Sequence, residues 1–561
     1  MGSAQSLPSV MSDPERSSDW RVLGLELGLD EPESVLRERA AARAGIAVDA
    51  VRGLRMAHKS LDARRRGGQR SLRFVVHVDI ELARDFDVAA NVGFERACRA
   101  GRVVARPPSW PLHVTRPHPT LVGARVAVVG AGPAGLFAAL SLARSGVSVD
   151  LFDRGPALAE RSRAVARFAR TRELDPEANL LFGEGGAGTY SDGKIYTRID
   201  HPLESSILAE LVACGADEEI AWDARAHIGT DRLHRILPVL RSCLEAAGVR
   251  LHWGARLTGW GVEDRATQRA VRTLHTTAGD LDCDAVMLAL GHSARDSLEA
   301  LHAQGLVLEA KPFQLGVRIE HPQSLIDRGR YGDAKVAARL GASYYGLACK
   351  PGDGLPGAHS FCMCPGGQIV ASVNTHGLLC TNGMSNSRHS SPYANAAVVT
   401  TLGVREYGDG VFAGVDHREA LERSFFSAGG GDWTAPAQRA PDFIAGRAST
   451  SLDRTSYRFG CAPGRIDALL PERVRSALRR ALARFDRQIP GFAGPEAMLV
   501  GIESRSSGAI RMPRDEVSRL ARGFTNVLPI GEGAGYAGGI MSAAIDGARS
   551  ARELLERGLR A

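Results

Sequence analysis

The stretch RVAVVGAGPAGLFAALSLARSGVSVDLFDR, Arg125 to Arg154, decides the fold. Val126 to Val129 is a short apolar run of strand type. Gly130, Gly132 and Gly135 follow as G-x-G-x-x-G, and Leu136 to Arg144 carries apolar residues at helical spacing. A second strand, Ser148 to Phe152, ends in Asp153. Strand, glycine turn, helix and strand with a terminal acid form the unit that holds the ADP half of a dinucleotide. Gly130 makes the tight turn and Gly132 lets the backbone approach a pyrophosphate. Gly135, after Ala134, lets the helix lie close on the strand. The helix N-terminus offers free N–H groups and partial positive charge to the phosphates. Asp153 is expected to accept hydrogen bonds from ribose hydroxyls.

The bare glycine pattern is weak evidence. With 63 glycines in 561 residues, it is expected about once by chance. It occurs at Gly130, Gly183, Gly352 and Gly533. The first alone has the strand before, the helix after and the acid at the end of the next strand. Gly183 and Gly352 do not follow strands that open helices, so a dedicated NAD(P)H domain is not expected. Electrons would then come from the substrate itself or from NAD(P)H visiting the substrate cavity.

A chain of 561 residues, 44% hydrophobic and 24% charged, has an ordinary globular composition and room for several domains. No apolar run reaches the roughly 18 residues of a membrane span, and the start lacks a basic-then-apolar leader. MGSAQS also fits a myristoylation pattern at Gly2. Nine cysteines in such a length are not a disulfide framework, and no second pair completes a zinc site around Cys362 and Cys364. A cytoplasmic protein with reduced thiols and no metal is expected. The net charge of +7 is scattered apart from Arg64 to Arg66, which argues against nucleic acid as a partner. Lys stands only at 59, 194, 311, 335 and 350.

The expected order along the chain is a disordered start over 1–18, an α+β domain of ferredoxin-like type over 19–105, and a Pro-rich linker over 106–120. The FAD-binding domain follows over 121–305. A mixed-β substrate domain is inserted over 306–494, and the FAD-binding domain resumes over 495–561. The fold class is α/β, Rossmann-type. The loop Leu181 to Lys194 (LFGEGGAGTYSDGK) is too glycine-rich for a helix or strand interior. Ala285 to Leu290 reads as a buried strand ending at Gly291. Val527 to Ile530 reads as another, followed by GEGAGYAGGIMSAAIDG.

Eight separated motifs stand in order: GAGPAGLFAALSLARSG, FGEGGAGTYSDGKIYTR, ALGHSARD, GVRIEHP, SFCMCPGG, TNGMS, ESRSS and GEGAGYAGGIMSAAIDG. Together they resemble a family of FAD-dependent dehydrogenases with a glutathione-reductase-like flavin fold behind a small N-terminal domain. The resemblance runs from near Ser60 to the C-terminal helix. It implies the fold and FAD, and no particular substrate. Members usually read E-S-R-T-S-S-P-V-R where this chain has Ser506 for Thr and Gly508-Ala509-Ile510 for Ser-Pro-Val. The acid at position 153 is usually Glu.

For FAD, Gly130, Gly132 and Gly135 are assigned to the pyrophosphate and Asp153 to the ribose. Arg154 and Arg161 would flank the adenine or phosphates. Gly185, Gly186, Gly188 and Thr189 would pass under the ring, with Gly291 at the returning strand. Gly531, Glu532, Gly538, Gly539 and Ile540 would close the other side. Lys194 either tunes the flavin, about 3 kcal/mol for a cation 5 Å from its N1–C2 edge at a dielectric near 20, or snorkels at a loop edge. Arg505 and Glu503 either grip a polar substrate or pair with each other in the interior. His292 and His321 read as structural histidines or as proton carriers. Cys362 and Cys364 invite a redox reading, but alternate residues of an extended strand stand about 6.5–7 Å apart at Cα, the limit for a bridge. The leading expectation is hydride transfer between FAD and a small organic substrate. The alternatives are a monooxygenase using NAD(P)H and oxygen, and a non-catalytic flavin-binding partner protein. The sequence leaves the oligomeric state open.

Overall fold

The computed structural model describes residues 19–66, 69–70, 72–265 and 268–559. The expected disordered start, 1–18, lies outside them. The chain divides into two compact units: residues 1–108 with 221–224, and residues 109–220 with 225–561.

In the first unit, β1 (Asp19–Gly28), α1 (Leu36–Ala44), β2 (Val51–Asp62), β3 (Arg73–Leu82), α2 (Val92–Arg99) and β4 (Val103–Ala105) follow in turn. The sheet runs β2-β3-β1-β4 and is antiparallel throughout. This βαββαβ order is the ferredoxin-like arrangement. Alternation puts Val76, Val78 and Ile80 on the face covered by both helices, where they are buried with Val22, Leu36 and Phe94. Gly45, at φ +71, ends α1 in the left-handed conformation. Asn91 caps α2 by accepting from the Phe94 amide at 2.8 Å.

The second unit holds two large sheets. The first has five parallel strands in the order Val527–Pro529, Ala285–Leu288, β5 (Arg125–Val129), β6 (Ser148–Asp153), Arg250–Trp253. Parallel strands covered on both faces read as continuous apolar runs, as VAVV does here. The chain leaves β5 toward β6 and later returns on the opposite side at Ala285–Leu288. The order therefore reverses between those strands, and ligands in such sheets bind beyond their C-terminal ends. Gly130 and Ala289 stand at those ends. Helix α3 (Pro133–Arg144) crosses the C-terminal helix Ile540–Arg557 so closely that a Cβ on Gly547 would strike the Ala134 carbonyl.

The second sheet has seven strands and supplies the mixed-β part. At its centre Phe313–Pro322 pairs antiparallel with Tyr393–Leu402 on one side and Met498–Glu503 on the other. Met498–Glu503 thus extends the sheet of the inserted region past residue 494. The chain rejoins the parallel sheet only at Val527–Pro529. Leu499 and Val500 belong to the same buried cluster as Val317 and Ile319. Among the described residues no helix is long and apolar enough to cross a membrane.

Candidate functional site: a flavin cradle beside a buried charged cluster

Glycines bring four distant segments together. A Cβ on Gly130 would collide with the Ala289 carbonyl, and one on Gly135 with the Gly130 carbonyl. A Cβ on Gly186 would stand 3.0 Å from Gly132 Cα, and one on Gly188 2.9 Å from Ile540 Cγ1. A Cβ on Gly531 would meet Ala134 Cβ at 2.8 Å, and one on Gly533 would strike the Gly291 carbonyl. The turn at 130–135, the loop at 183–189, the strand end at 289–291 and the turn at 531–540 are therefore one constellation. Gly538 has open space around it, and Gly539 is the N-cap of the helix that starts at Ile540.

Charged side chains hold these segments. Asp153 accepts from the Ala131 amide at 2.8 Å, the Gly155 amide at 2.8 Å and the Gly183 amide at 2.9 Å. Burial raises its pKa against those donors. Its carboxylate is committed mainly to fastening the glycine turn to the 183 loop, and one lone pair of Oδ2 is left for a ribose. A Glu would reach one methylene farther. Arg154 pairs with Glu177 at 2.6 Å and Asp296 at 2.7 Å and stacks on Phe182. Arg161 is fully buried and donates to the Asn179 and Glu184 carbonyls at 2.9 and 2.6 Å and to Thr189 Oγ1 at 3.1 Å. Its Nη2 has no hydrogen-bond partner among the described residues. On the far side, Asp546 accepts from the Gly531 amide at 2.7 Å and pairs with Arg514 and Arg519.

A cluster of buried charged residues borders this cradle. Lys194 donates to Asp192 at 2.8 Å and to the Met363 carbonyl. The Asp192 charge holds its pKa above the usual lysine range against burial. Lys194 is half-buried, and its partner Asp192 is fully buried. Glu503 and Arg505 do not pair with each other. Glu503 meets Arg318 at 3.3 Å, and burial pushes its pKa up to about 7. Arg505 grips Glu422 at 2.9 and 2.7 Å and Asn374 at 2.7 Å. Arg418, 2% exposed, approaches the same Glu422 at 3.6 Å. Its Nε and Nη1 lack hydrogen-bond partners among the described residues. His292 Nε2 lies 3.9 Å from Glu532 Oε1. Burial, then Arg418 and Arg505, push the His292 pKa down to about 3, so it is a neutral imidazole. Burial pushes Glu532 up to about 7, against Lys311. His321 Nε2 donates to the Phe492 carbonyl at 2.7 Å.

Arg318, Arg418, Glu422 and Asp192 are the site residues that sequence reasoning passed over. The first had a signal: an arginine between Val317 and Ile319 in an apolar strand must be buried, and a buried charge needs a partner.

The residues fit FAD. Glycines let these segments approach as closely as a nucleotide-binding turn requires, Gly291 and Gly538 face open space, and the buried Arg161 keeps one nitrogen for an anion. In the bound state Gly130 to Gly135 and Arg161 would hold the pyrophosphate, and Gly185 to Thr189, Gly291 and Gly531 to Ile540 would border the ring.

Two family models match the chain: a FAD binding domain over residues 123–287, and the FAD-dependent protein, C-terminal domain-like, over residues 312–506. A protein of Clostridium beijerinckii (strain ATCC 51743 / NCIMB 8052), described only as uncharacterized, is 34% identical over 545 residues, 96% of this chain and 98% of its own. Kynurenine 3-monooxygenase of Salinispora arenicola (strain CNS-205) is 28% identical over 298 residues, 50% of this chain and 56% of that enzyme. Among solved structures, CtdE in complex with FAD matches at a TM-score of 0.30 and 12% identity, over 77% of this chain and 85% of that one. The open form of the amino acid oxidase NikD matches at 0.30 and 13%, over 78% and 95%. Likeness to solved structures at that level carries no argument about activity. The near full-length relative and the two domain matches place this chain in the family of FAD-dependent oxidoreductases, enzymes that use FAD as cofactor.

Proposed function

We propose that the enzyme moves a hydride equivalent between FAD and a small organic substrate that carries a carboxylate or similar negative charge. The supporting observation is Arg418. Two guanidinium groups, Arg418 and Arg505, share one buried carboxylate, Glu422, and two nitrogens of Arg418 have no hydrogen-bond partner among the described residues. Buried donors without acceptors are costly, and an anionic ligand group would satisfy them. His292, neutral beside these cations, is suited to hold or accept a proton at Nε2. FAD supplies the two-electron chemistry, and the chain's residues orient the substrate. A second reading, a monooxygenase using NAD(P)H and oxygen, is favoured by the likeness of half the chain to kynurenine 3-monooxygenase. The parallel sheet with its glycine turn occurs once among the described residues, so NAD(P)H would act as a visitor to the substrate cavity.

Anaerobic addition of NADPH or NADH, followed by flavin absorbance, tests both. A flavin that stays oxidised with nicotinamides and bleaches with an organic acid supports the first reading. Rapid bleaching by a nicotinamide, with oxygen uptake matched to hydroxylated product, replaces it with the second.

A further inference from the structure

The strand Ala358–Cys364 carries Cys362 and Cys364, and it is not regular there. Phe361 pairs with Ala397 and Cys364 with Asn395. Three steps on one strand thus span two on its neighbour, which defines a bulge over Cys362 and Met363. Cys362 has φ +44, left-handed backbone for a residue with a side chain. Such conformations persist where surrounding structure imposes them, and they cluster at functional sites. The backbone between the two cysteines is therefore not the regular extended strand on which the spacing of about 6.5–7 Å rests, and Cys364 Sγ turns back to within 3.4 Å of the Cys362 carbonyl oxygen.

Two cations bracket the pair. Arg318 Nη2 donates to the Cys362 carbonyl at 2.8 Å and lies 3.4 Å from Cys364 Sγ. Lys194 Nζ donates to the carbonyl of Met363 between them. Cys362 is half-buried and Cys364 fully buried. One thiol is therefore reachable and the other sheltered, as an attacking and a resolving sulfur require. A hydrogen bond from Cys364, then Lys194 and Arg318, lower the Cys362 pKa, while Cys364 is raised. Lys194 belongs to the glycine-rich loop whose Gly186 and Gly188 approach Gly132 and Ile540, so the bulge is tied directly to a cradle segment.

We propose that Cys362 and Cys364 form a dithiol–disulfide couple that exchanges two electrons with the bound FAD. Oxidation removes both thiol protons and two electrons and forms one S–S bond; the protons and electrons pass to oxidised FAD. The reverse step returns them and opens the bond. The inference rests on FAD and not on the nature of the organic substrate.

The test uses the full-length holoprotein. After oxidation with diamide and desalting, anaerobic dithionite titration is expected to consume four electrons per FAD, and two in Cys362→Ser or Cys364→Ser. Alkylation and peptide mass mapping of the unfolded wild type, which needs no variant, is expected to find positions 362 and 364 linked before reduction and both alkylated after it. Photoreduced FAD in the oxidised wild type should reoxidise without oxygen as the bond opens, and should stay reduced in the serine variants. Two electrons per FAD with both cysteines alkylated overturns the proposal. So does a four-electron titration whose linkage maps to Cys214 and Cys243, whose sulfurs lie within 4.8 Å of each other. None of these results bears on the anionic-substrate reading.

Discussion

Asp153 and Gly183 stand 30 positions apart in the chain, and the amide of Gly183 donates to Asp153 Oδ1 at 2.9 Å. The same carboxylate holds Ala131 and Gly155, so it joins the glycine turn to the loop that completes the cradle. Asp153→Ala leaves three loop amides without their acceptor. The expected cost is about 2–4 kcal/mol, from an unsatisfied donor at roughly 1–3 kcal/mol and partial rescue by water. FAD affinity is expected to fall roughly ten- to a hundredfold. Urea unfolding and equilibrium release of FAD, read by its fluorescence, check both. Unchanged FAD release with a full loss of stability would separate the clamp from the cradle.

Gly186 is where the 183–189 loop meets the glycine turn. Its φ is +62, and a Cβ there would stand 3.0 Å from Gly132 Cα. Gly186→Ala therefore strains the backbone and fills space assigned to the cofactor. The protein is expected to fold, with circular dichroism near the wild type, and to purify with FAD occupancy reduced at least tenfold. The ratio of absorbance at flavin and protein wavelengths measures this. Full occupancy would move the ring away from the 183–189 loop.

The glycine turn was legible in sequence because its signal is local: strand, turn, helix and acid lie within 30 residues. The returning segments at Gly291 and Gly531 were legible for the same reason. Partner choice was not. Glu503 and Arg505 are two positions apart, yet Glu503 finds Arg318, 185 positions away, and Arg505 finds Glu422, 83 positions away. Neighbours so close in sequence leave the strand that ends at Glu503 in different directions, and strand register across Phe313–Pro322 decides who meets whom. The bulge at Cys362 is likewise set by pairing with a neighbouring strand, which the spacing C-x-C alone does not record.

Glu422 lies between Arg418 and Arg505, and Glu419 stands 3.8 Å from Arg418. Glu422→Gln leaves two buried cations facing each other, and breaking a buried pair from one side costs about 3–5 kcal/mol. The double variant Glu422→Leu, Arg505→Leu removes both ends and is expected to be less destabilised than Glu422→Gln, as read by denaturant midpoints. Arg418→Leu keeps the Glu422–Arg505 pair and removes the unsatisfied donors. It is expected to weaken binding of a small carboxylate such as benzoate roughly ten- to a hundredfold, the worth of one hydrogen bond to a charged group. Perturbation of the flavin absorption band reports that binding. Equal benzoate affinity in Arg418→Leu and wild type would refute the anionic-substrate reading.

His321 sets a pH dependence whose sign follows from burial. It is 1% exposed, bonds to the Phe492 carbonyl through Nε2, and leaves Nδ1 without a partner among the described residues. Burial pushes its pKa down to about 4 from 6.5. Between those values the unfolded chain takes up a proton that the folded chain refuses. Stability is therefore fully present above pH 6.5 and is lost as pH falls toward 4, by about 3 kcal/mol from this residue at 1.36 kcal/mol per unit. His321→Gln keeps an N–H donor for Phe492 and cannot take up that proton. Its unfolding free energy is expected to fall less steeply than the wild type's across this window, by up to one proton in slope. His292 contributes in the same direction, with a pKa of about 3, so both curves slope downward toward acid and the difference between them isolates His321. Parallel curves from pH 6.5 to 4 would mean that His321 takes up its proton in the folded state, and that water reaches the ring through the Glu320–Met498 cavity, of about 270 Å³, which it lines.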